Sequence, residues 1–164
     1  SLDYSAETAL SWSKLIARSV EIKNKIVLED PTEQGLRKVL NFGHTVGHAV
    51  ETYFLNTEKP LLHGEAIAVG MICECYLSSA ITGMKSNTLD AITEVISSLF
   101  GSVQLDQGIH GELLNVMQQD KKNQEGKINF TLLKDIGEPL IDQYADDTLI
   151  REALGFYEEF AVHH

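Results

Sequence analysis

The chain has 164 residues, 43% hydrophobic and 23% charged, which suits one globular domain or one part of a larger protein. Its formal net charge of -11 argues against nucleic acid as a partner, because proteins that bind a phosphate backbone present a basic surface. No apolar run is long enough to span a bilayer and the first residues do not resemble a signal peptide, so we expect a cytoplasmic protein without a membrane partner.

The first predicted element is a helix from about Ser5 to Leu28 with a broad hydrophobic face. Lys23 lies within that face. Two readings of this lysine stay open: its amine extends to the edge of the face and is solvated, or it is a cation for an anionic substrate. Glu29, Asp30 and Pro31 end the helix.

The next stretch, Glu33 to Glu51, is interpreted as one helix with Gly35 as a turn signal near its start. A helix would bring its polar and reactive side chains within an arc of roughly 80°. These residues are Glu33, Arg37, Asn41, His44, His48 and Glu51. A solvated face is the ordinary alternative, but such a face usually carries flexible Lys and Glu. Gly43 and Gly47 each cost about 1 kcal/mol relative to alanine in a helix, so we expect a closely approaching neighbour there.

His44 and His48 are one helical turn apart, a spacing at which two imidazoles can approach one metal ion. A connection over Leu55 to Pro60 leads to His63, which begins a helix that is apolar nearly all round. A histidine at this place is a cap, a core residue or a third ligand. Three imidazoles, or two and a carboxylate, form the usual open catalytic zinc site.

The remaining pattern predicts further helices and one strand pair. The helices are expected from Asn87 or Thr88 to Gly101, from Gly111 to Asp120, and from Asp146 or Asp147 to Phe160; the strands are Ile128 to Leu133 and Leu140 to Tyr144. Lys121 and Lys122 lie in the polar run DKKNQEGK, where surface lysines are common. The predicted fold class is mainly α, a helical bundle with a small β-hairpin. No P-loop or glycine-rich dinucleotide turn is present, so any nucleotide would be held outside this sequence.

Three of these motifs occur together in one known family. The segments GLRKVLNFGHTVGHAVE and LLHGEAIAVGM, and the DKK run with a strand after it, closely resemble the C-terminal domain of the 3-dehydroquinate synthase family. The resemblance implies that residues 1–162 form a single helical C-terminal domain and that an N-terminal α/β domain, which binds NAD, is absent from this chain. It also implies a homodimer for the full-length enzyme.

The resemblance assigns roles to single residues. His44 and His63 match the metal ligands, for Zn²⁺ or Co²⁺, and the family's third ligand is a glutamate upstream of residue 1. His48 matches an active-site histidine that is not a ligand. The other matched positions are Glu33, an acidic residue of the site; Arg37, Asn41 and Lys23, which surround the substrate; and one of Lys121 and Lys122.

The implied reaction is that of a carbon–oxygen lyase of the shikimate pathway. Such an enzyme converts a small anionic sugar phosphate, 3-deoxy-D-arabino-heptulosonate 7-phosphate, into 3-dehydroquinate and phosphate, with transient oxidation by NAD. Local cations would let an acidic protein hold this substrate. The isolated fragment is predicted to be inactive and to bind zinc weakly.

Three alternative functions stay open. A sibling sugar-phosphate cyclase would share the zinc ligands and differ around Arg37 and Asn41. An iron-dependent alcohol dehydrogenase also has HxxxH followed by HG, but the upstream arginine and asparagine and the DKK run speak against it. A non-catalytic structural domain would merely retain the motif.

Overall fold

A computed structural model describes residues 6–55, 57–119 and 126–163, and over these the fold is mainly helical with one β-hairpin, which confirms the predicted class. The helices are α1 (Ala6–Glu29), α2 (His44–Leu55), α3 (His63–Thr82), α4 (Ser86–Phe100), α5 (His110–Gln118) and α6 (Asp147–His163), with 3-10 helices at Leu36–Asn41 and Gln107–Ile109. The strands are β1 (Ile128–Asp135) and β2 (Glu138–Ala145). The chain forms two compact units that divide between Leu40 and Asn41.

The first unit consists of α1 and the turn that follows it. Large apolar side chains of α1 remain exposed, with Leu15 at 57% and Ile16 at 60%. After α1, the Asp30 carboxylate accepts hydrogen bonds from the backbone N–H groups of Gln34, Gly35 and Arg37. This one side chain therefore closes the turn that the sequence Glu29 to Pro31 predicts.

The stretch from Glu33 to Glu51 is not one helix, so that prediction was wrong. Glu33 has a φ of 55°, the 3-10 helix covers Leu36–Asn41, and Gly43 has a φ of 80° before α2 begins at His44. A left-handed residue cannot continue a right-handed helix, and glycine adopts this conformation without a Cβ clash. The helical arc therefore holds only for the part of the stretch that lies in α2.

Helix α3 is the centre of the second unit and packs against α2, α4, α6 and β1. Its buried side chains include Val69, Ile72, Cys73 and Leu77. By length and composition α3 could cross a membrane, contrary to the expectation from sequence, but 56% of its apolar window is buried inside the protein. Its hydrophobicity is accounted for by its position in a protein core.

Helices α2 and α3 approach each other through glycines. A Cβ on Gly70 of α3 would lie 2.0 Å from the carbonyl oxygen of Gly43 and 2.6 Å from the nitrogen of Gly47. A Cβ on Gly47 would lie 3.0 Å from the Cα of Ile67. The expected close neighbour of Gly43 and Gly47 is therefore α3, and its proximity brings the start of α2 against the backbone of α3.

The hairpin and the last helix complete the core of the second unit. β1 and β2 are antiparallel, with Ile128 opposite Ala145, and Phe130 is almost fully buried. Asp146 caps α6, since its carboxylate accepts the backbone N–H of Leu149 at 3.0 Å. Both elements were predicted at nearly these positions.

Candidate metal centre

Three imidazoles meet where α2 and α3 begin. His44 is the first residue of α2, His48 follows one turn later, and His63 is the first residue of α3. The ring centroids are 5.1 Å apart for His44 and His48, and 5.8 Å for each pair that includes His63. One nitrogen from each ring lies within 4.8 Å of the others. The structure thus brings His44 and His63 together, with His48 beside them.

The hydrogen bonds of two rings determine which nitrogen can bind a metal. Nδ1 of His44 lies 3.1 Å from the carbonyl oxygen of Phe42, and Nδ1 of His63 lies 3.0 Å from Oε2 of Glu51. Because a carbonyl or an ionised carboxylate only accepts, each Nδ1 carries the proton and donates. The lone pair of the neutral ring then resides on Nε2. Metal-binding histidines commonly show this arrangement, because an acceptor on the far side of the ring holds the proton on Nδ1.

The donor set fits Zn²⁺ or Co²⁺, because imidazole nitrogen is a preferred ligand of both. Two nitrogens on one zinc ion, each at about 2.1 Å, lie about 3.4 Å apart in tetrahedral geometry. The three ring nitrogens, which lie within 4.8 Å of one another, are therefore near the spacing that one ion requires. His63 and His48 are exposed and His44 is half-buried, so the cluster is open to solvent on one side.

Glu51 lies on the predicted polar face with His44 and His48, and the structure gives it a contact that its sequence position does not predict. It lies on α2, one turn after His48, and its carboxylate accepts from the imidazole of His63 on α3. Its spacing from His44 and His48 on one helix face was the available signal. Glu51 therefore orients the ring of His63.

A second carboxylate, Glu74, lies beneath the start of α2 and was missed. Glu74 is fully buried, and its oxygens accept the backbone N–H groups of Gly43 at 2.6 Å, Thr45 at 3.1 Å and Val46 at 3.2 Å. Burial raises the pKa of Glu74 to about 8, and the three N–H donors oppose that rise. A lone acidic residue inside the apolar sequence of α3 was the signal that sequence reasoning passed over.

The other predicted site residues lie in both units. Lys23 is exposed on α1, while Glu33 and Arg37 are half-buried in the turn after it. The guanidinium of Arg37 donates to the carbonyl oxygen of Pro31 at 3.1 Å. Asn41 is half-buried at the end of the 3-10 helix and belongs to the same unit as the histidines. The roles of these residues stay predictions.

The remaining two site residues, Lys121 and Lys122, fall outside the residues that the structure describes.

A family model and similar curated sequences agree on one family. A family model described as 3-dehydroquinate synthase C-terminal matches residues 2–123. The chain is 42% identical over 147 residues to the 3-dehydroquinate synthase of Parabacteroides distasonis, covering 90% of this chain and 42% of that protein. It is 38% identical over 143 residues to the enzyme of Corynebacterium jeikeium, covering 87% and 38%. The chain therefore spans less than half the length of these relatives.

Comparison with solved structures shows the same kind of fold. A 2-deoxy-scyllo-inosose synthase, complexed with carbaglucose-6-phosphate, NAD⁺ and Co²⁺, matches with a TM-score of 0.72 at 23% identity. The match covers 88% of this chain and 39% of that one. A second structure of a 2-deoxy-scyllo-inosose synthase matches with a TM-score of 0.57 at 26% identity and covers 76% and 33% of the two chains.

Proposed function

This chain belongs to the 3-dehydroquinate synthase family, as its C-terminal domain, and from that premise we propose that it supplies the metal centre of a phosphate-eliminating cyclase. The full-length enzyme would convert 3-deoxy-D-arabino-heptulosonate 7-phosphate into 3-dehydroquinate and phosphate in the cytoplasm. The observation that carries the proposal is the cluster of three imidazoles, of which His44 and His63 are held with Nε2 as the basic nitrogen.

His44 and His63 are the proposed ligands of Zn²⁺ or Co²⁺. The third ligand we infer is a glutamate in the region of the family that precedes the matched segment. When bound there, such a metal ion would polarise a hydroxyl group of the substrate and fix its orientation. Glu51 supports this role, because a carboxylate on Nδ1 raises the basicity of the ligating imidazole.

The nicotinamide cofactor would be held mainly by a separate α/β domain. This chain covers only 42% of the Parabacteroides enzyme, which leaves room for such a domain in the full-length protein. The solved structural neighbour was determined with NAD⁺, Co²⁺ and a sugar-phosphate analogue, which supports the same combination here.

His48 and the residues of the first unit are proposed to act on the substrate. An imidazole that is not a ligand can accept a proton and return it, and Glu33 would be its acidic partner. Arg37 offers a planar pair of donors to a carboxylate, whereas Lys23 and one of Lys121 and Lys122 would be point charges for the phosphate. Asn41 would bind a hydroxyl group of the substrate.

A sibling sugar-phosphate cyclase is the second candidate, because two of the matching solved structures are 2-deoxy-scyllo-inosose synthases. The sequence relatives favour the first candidate, since they are 3-dehydroquinate synthases at 38% to 42% identity. The two candidates differ in whether the substrate carries a carboxylate for Arg37 to bind.

Phosphate release by the full-length enzyme distinguishes these functions. The assay would supply NAD⁺ and Zn²⁺ with either 3-deoxy-D-arabino-heptulosonate 7-phosphate or glucose 6-phosphate, whose carbocyclic analogue is bound in the structural neighbour. We expect turnover of the first substrate and none of the second. Turnover of glucose 6-phosphate alone would assign the enzyme to the sibling class.

A further inference from the structure

Glu74 is the one acidic side chain in the protein core, among the residues that the structure describes. It lies in the middle of α3 at 0% exposure, between the buried Cys73 and Cys75. A carboxyl group is expensive to bury unless hydrogen bonds replace its hydration, so its partners must account for its presence.

Those partners are the free N–H groups at the start of α2. Oε2 of Glu74 accepts from Gly43, and Oε1 accepts from both Thr45 and Val46. The first N–H groups of a helix have no partner within it, so they need an acceptor from outside the helix. The residue before α2 is Gly43, which has no side chain with which to cap them. Glu74 therefore supplies from α3 the cap that α2 lacks.

We propose that Glu74 is a positioning residue for the metal centre. The three N–H groups surround His44 in the chain, so the carboxylate fixes the backbone that carries this imidazole. Helix α3 also begins with His63. Helix α3 thus carries His63 itself and holds the backbone of His44 through Glu74. The positions of both predicted ligands are therefore set by this one helix. This inference rests on the proposed function, because it assumes that His44 and His63 bind the metal.

The substitution Glu74→Gln separates positioning from a purely structural cap. The glutamine amide nitrogen cannot accept a hydrogen bond, so either Gly43 or the pair Thr45 and Val46 loses its acceptor. Asp146→Ala is the matched control, because it removes the cap of α6, a helix that carries no predicted ligand. Both substitutions lower stability, but only Glu74→Gln should alter the metal centre.

The test uses the full-length enzyme and measures Co²⁺ affinity by equilibrium dialysis together with the visible absorption of bound Co²⁺. We expect Glu74→Gln to weaken Co²⁺ binding about tenfold or more and to change the absorption bands, while Asp146→Ala changes neither. Unchanged affinity and absorption in Glu74→Gln would overturn the inference. His44→Ala distinguishes the two failures: if it loses Co²⁺ the proposed function stands, and if it retains Co²⁺ the proposed function fails as well.

A measurement on the unmodified enzyme covers the case in which Glu74→Gln does not fold. If the backbone conformation around His44 increases the affinity for the metal, then metal binding must stabilise that conformation by the same free energy. We expect Zn²⁺ to slow hydrogen exchange at the amides of Gly43, Thr45 and Val46 and to leave the amide of Leu149 in α6 unchanged. Equal exchange at the three amides with and without Zn²⁺ would contradict the inference.

Discussion

At the scale of single residues, the proposed metal centre depends on which nitrogen of each imidazole is already hydrogen-bonded. In His44 and His63 the acceptors are a backbone carbonyl and the Glu51 carboxylate, and both contact Nδ1. A metal ion that joins these two rings therefore meets Nε2 in each. The same two contacts favour one orientation of each ring, which lowers the entropy lost when the ion binds.

The stability of the turn after α1 depends on pH through the carboxyl group of Asp30. Its hydrogen bonds from the backbone N–H groups of Arg37 and Gly35, and then of Gln34, lower the pKa of Asp30 below its ordinary value of 3.8. Because the folded state binds this proton less tightly than the unfolded state, the carboxylate stabilises the turn fully above pH 3.8 and ceases to do so as the pH falls through the lowered pKa.

We therefore expect the amide chemical shifts of Gly35 and Arg37 to move together below about pH 4, in parallel with the carboxyl carbon of Asp30. Two-dimensional NMR across this range makes the measurement. Asp30→Asn is the control and should abolish the shared transition. Amide chemical shifts of Gly35 and Arg37 that stay constant while Asp30 titrates would contradict the account.

Site residues were predictable from sequence where their partners are close along the chain, and were missed where their partners are distant along the chain. His44 and His48 are recognisable because their spacing on one helix is local. The role of Glu74 was not recognisable, since its partners lie 28 to 31 residues away along the chain. Glu51 is an intermediate case: its helix face was clear, but its partner His63 begins another helix.

At the scale of elements, the crossing of α2 and α3 sets the geometry of the centre. The prediction of a single helix from Glu33 to Glu51 failed because hydrophobic periodicity does not reveal a residue at positive φ such as Gly43. The predicted strands and the cap of α6 were found because alternation and an aspartate cap are local signals. The crossing of α2 and α3 depends instead on contacts between helices, which no local sequence pattern predicts.

Replacing Gly70 by alanine tests this crossing. The added Cβ would overlap backbone atoms of Gly43 and Gly47, which cannot move away as a flexible side chain could. We expect Gly70→Ala to lower the free energy of unfolding of the chain by about 3 kcal/mol in urea denaturation.

Gly155→Ala in α6 is the matched control for this change. Apart from its chain neighbours and the adjacent backbone of α6, no heavy atom lies within 4 Å of the position that a Cβ would take, so alanine should stabilise the helix by up to about 1 kcal/mol. Equal effects of the two substitutions would mean that the close approach of α2 and α3 does not limit stability.

At the scale of the whole molecule, the chain corresponds to only part of the relatives that it matches. The chain spans 42% of the Parabacteroides relative, and the fold class and family follow from motifs within this segment. The substrate and the nicotinamide cofactor are proposals, since the full-length enzyme would build its active site from both parts.

We accordingly expect the 164-residue chain alone to show no synthase activity and to bind Zn²⁺ weakly, because a ligand and the NAD-binding domain would be missing. Phosphate release and zinc titration on the purified chain make the test, with the full-length enzyme as the positive control. Substantial turnover by the isolated chain would refute the proposal that a separate domain binds NAD and supplies a metal ligand.

The most direct test of the central claim is the zinc content of three single variants of the full-length enzyme after dialysis. His44→Ala and His63→Ala should each lose the bound zinc, because each removes one of the proposed ligands. His48→Ala should keep its zinc and lose turnover, because this imidazole is proposed to act on the substrate. Equal zinc loss in all three variants, or zinc retained in His44→Ala, would contradict the account.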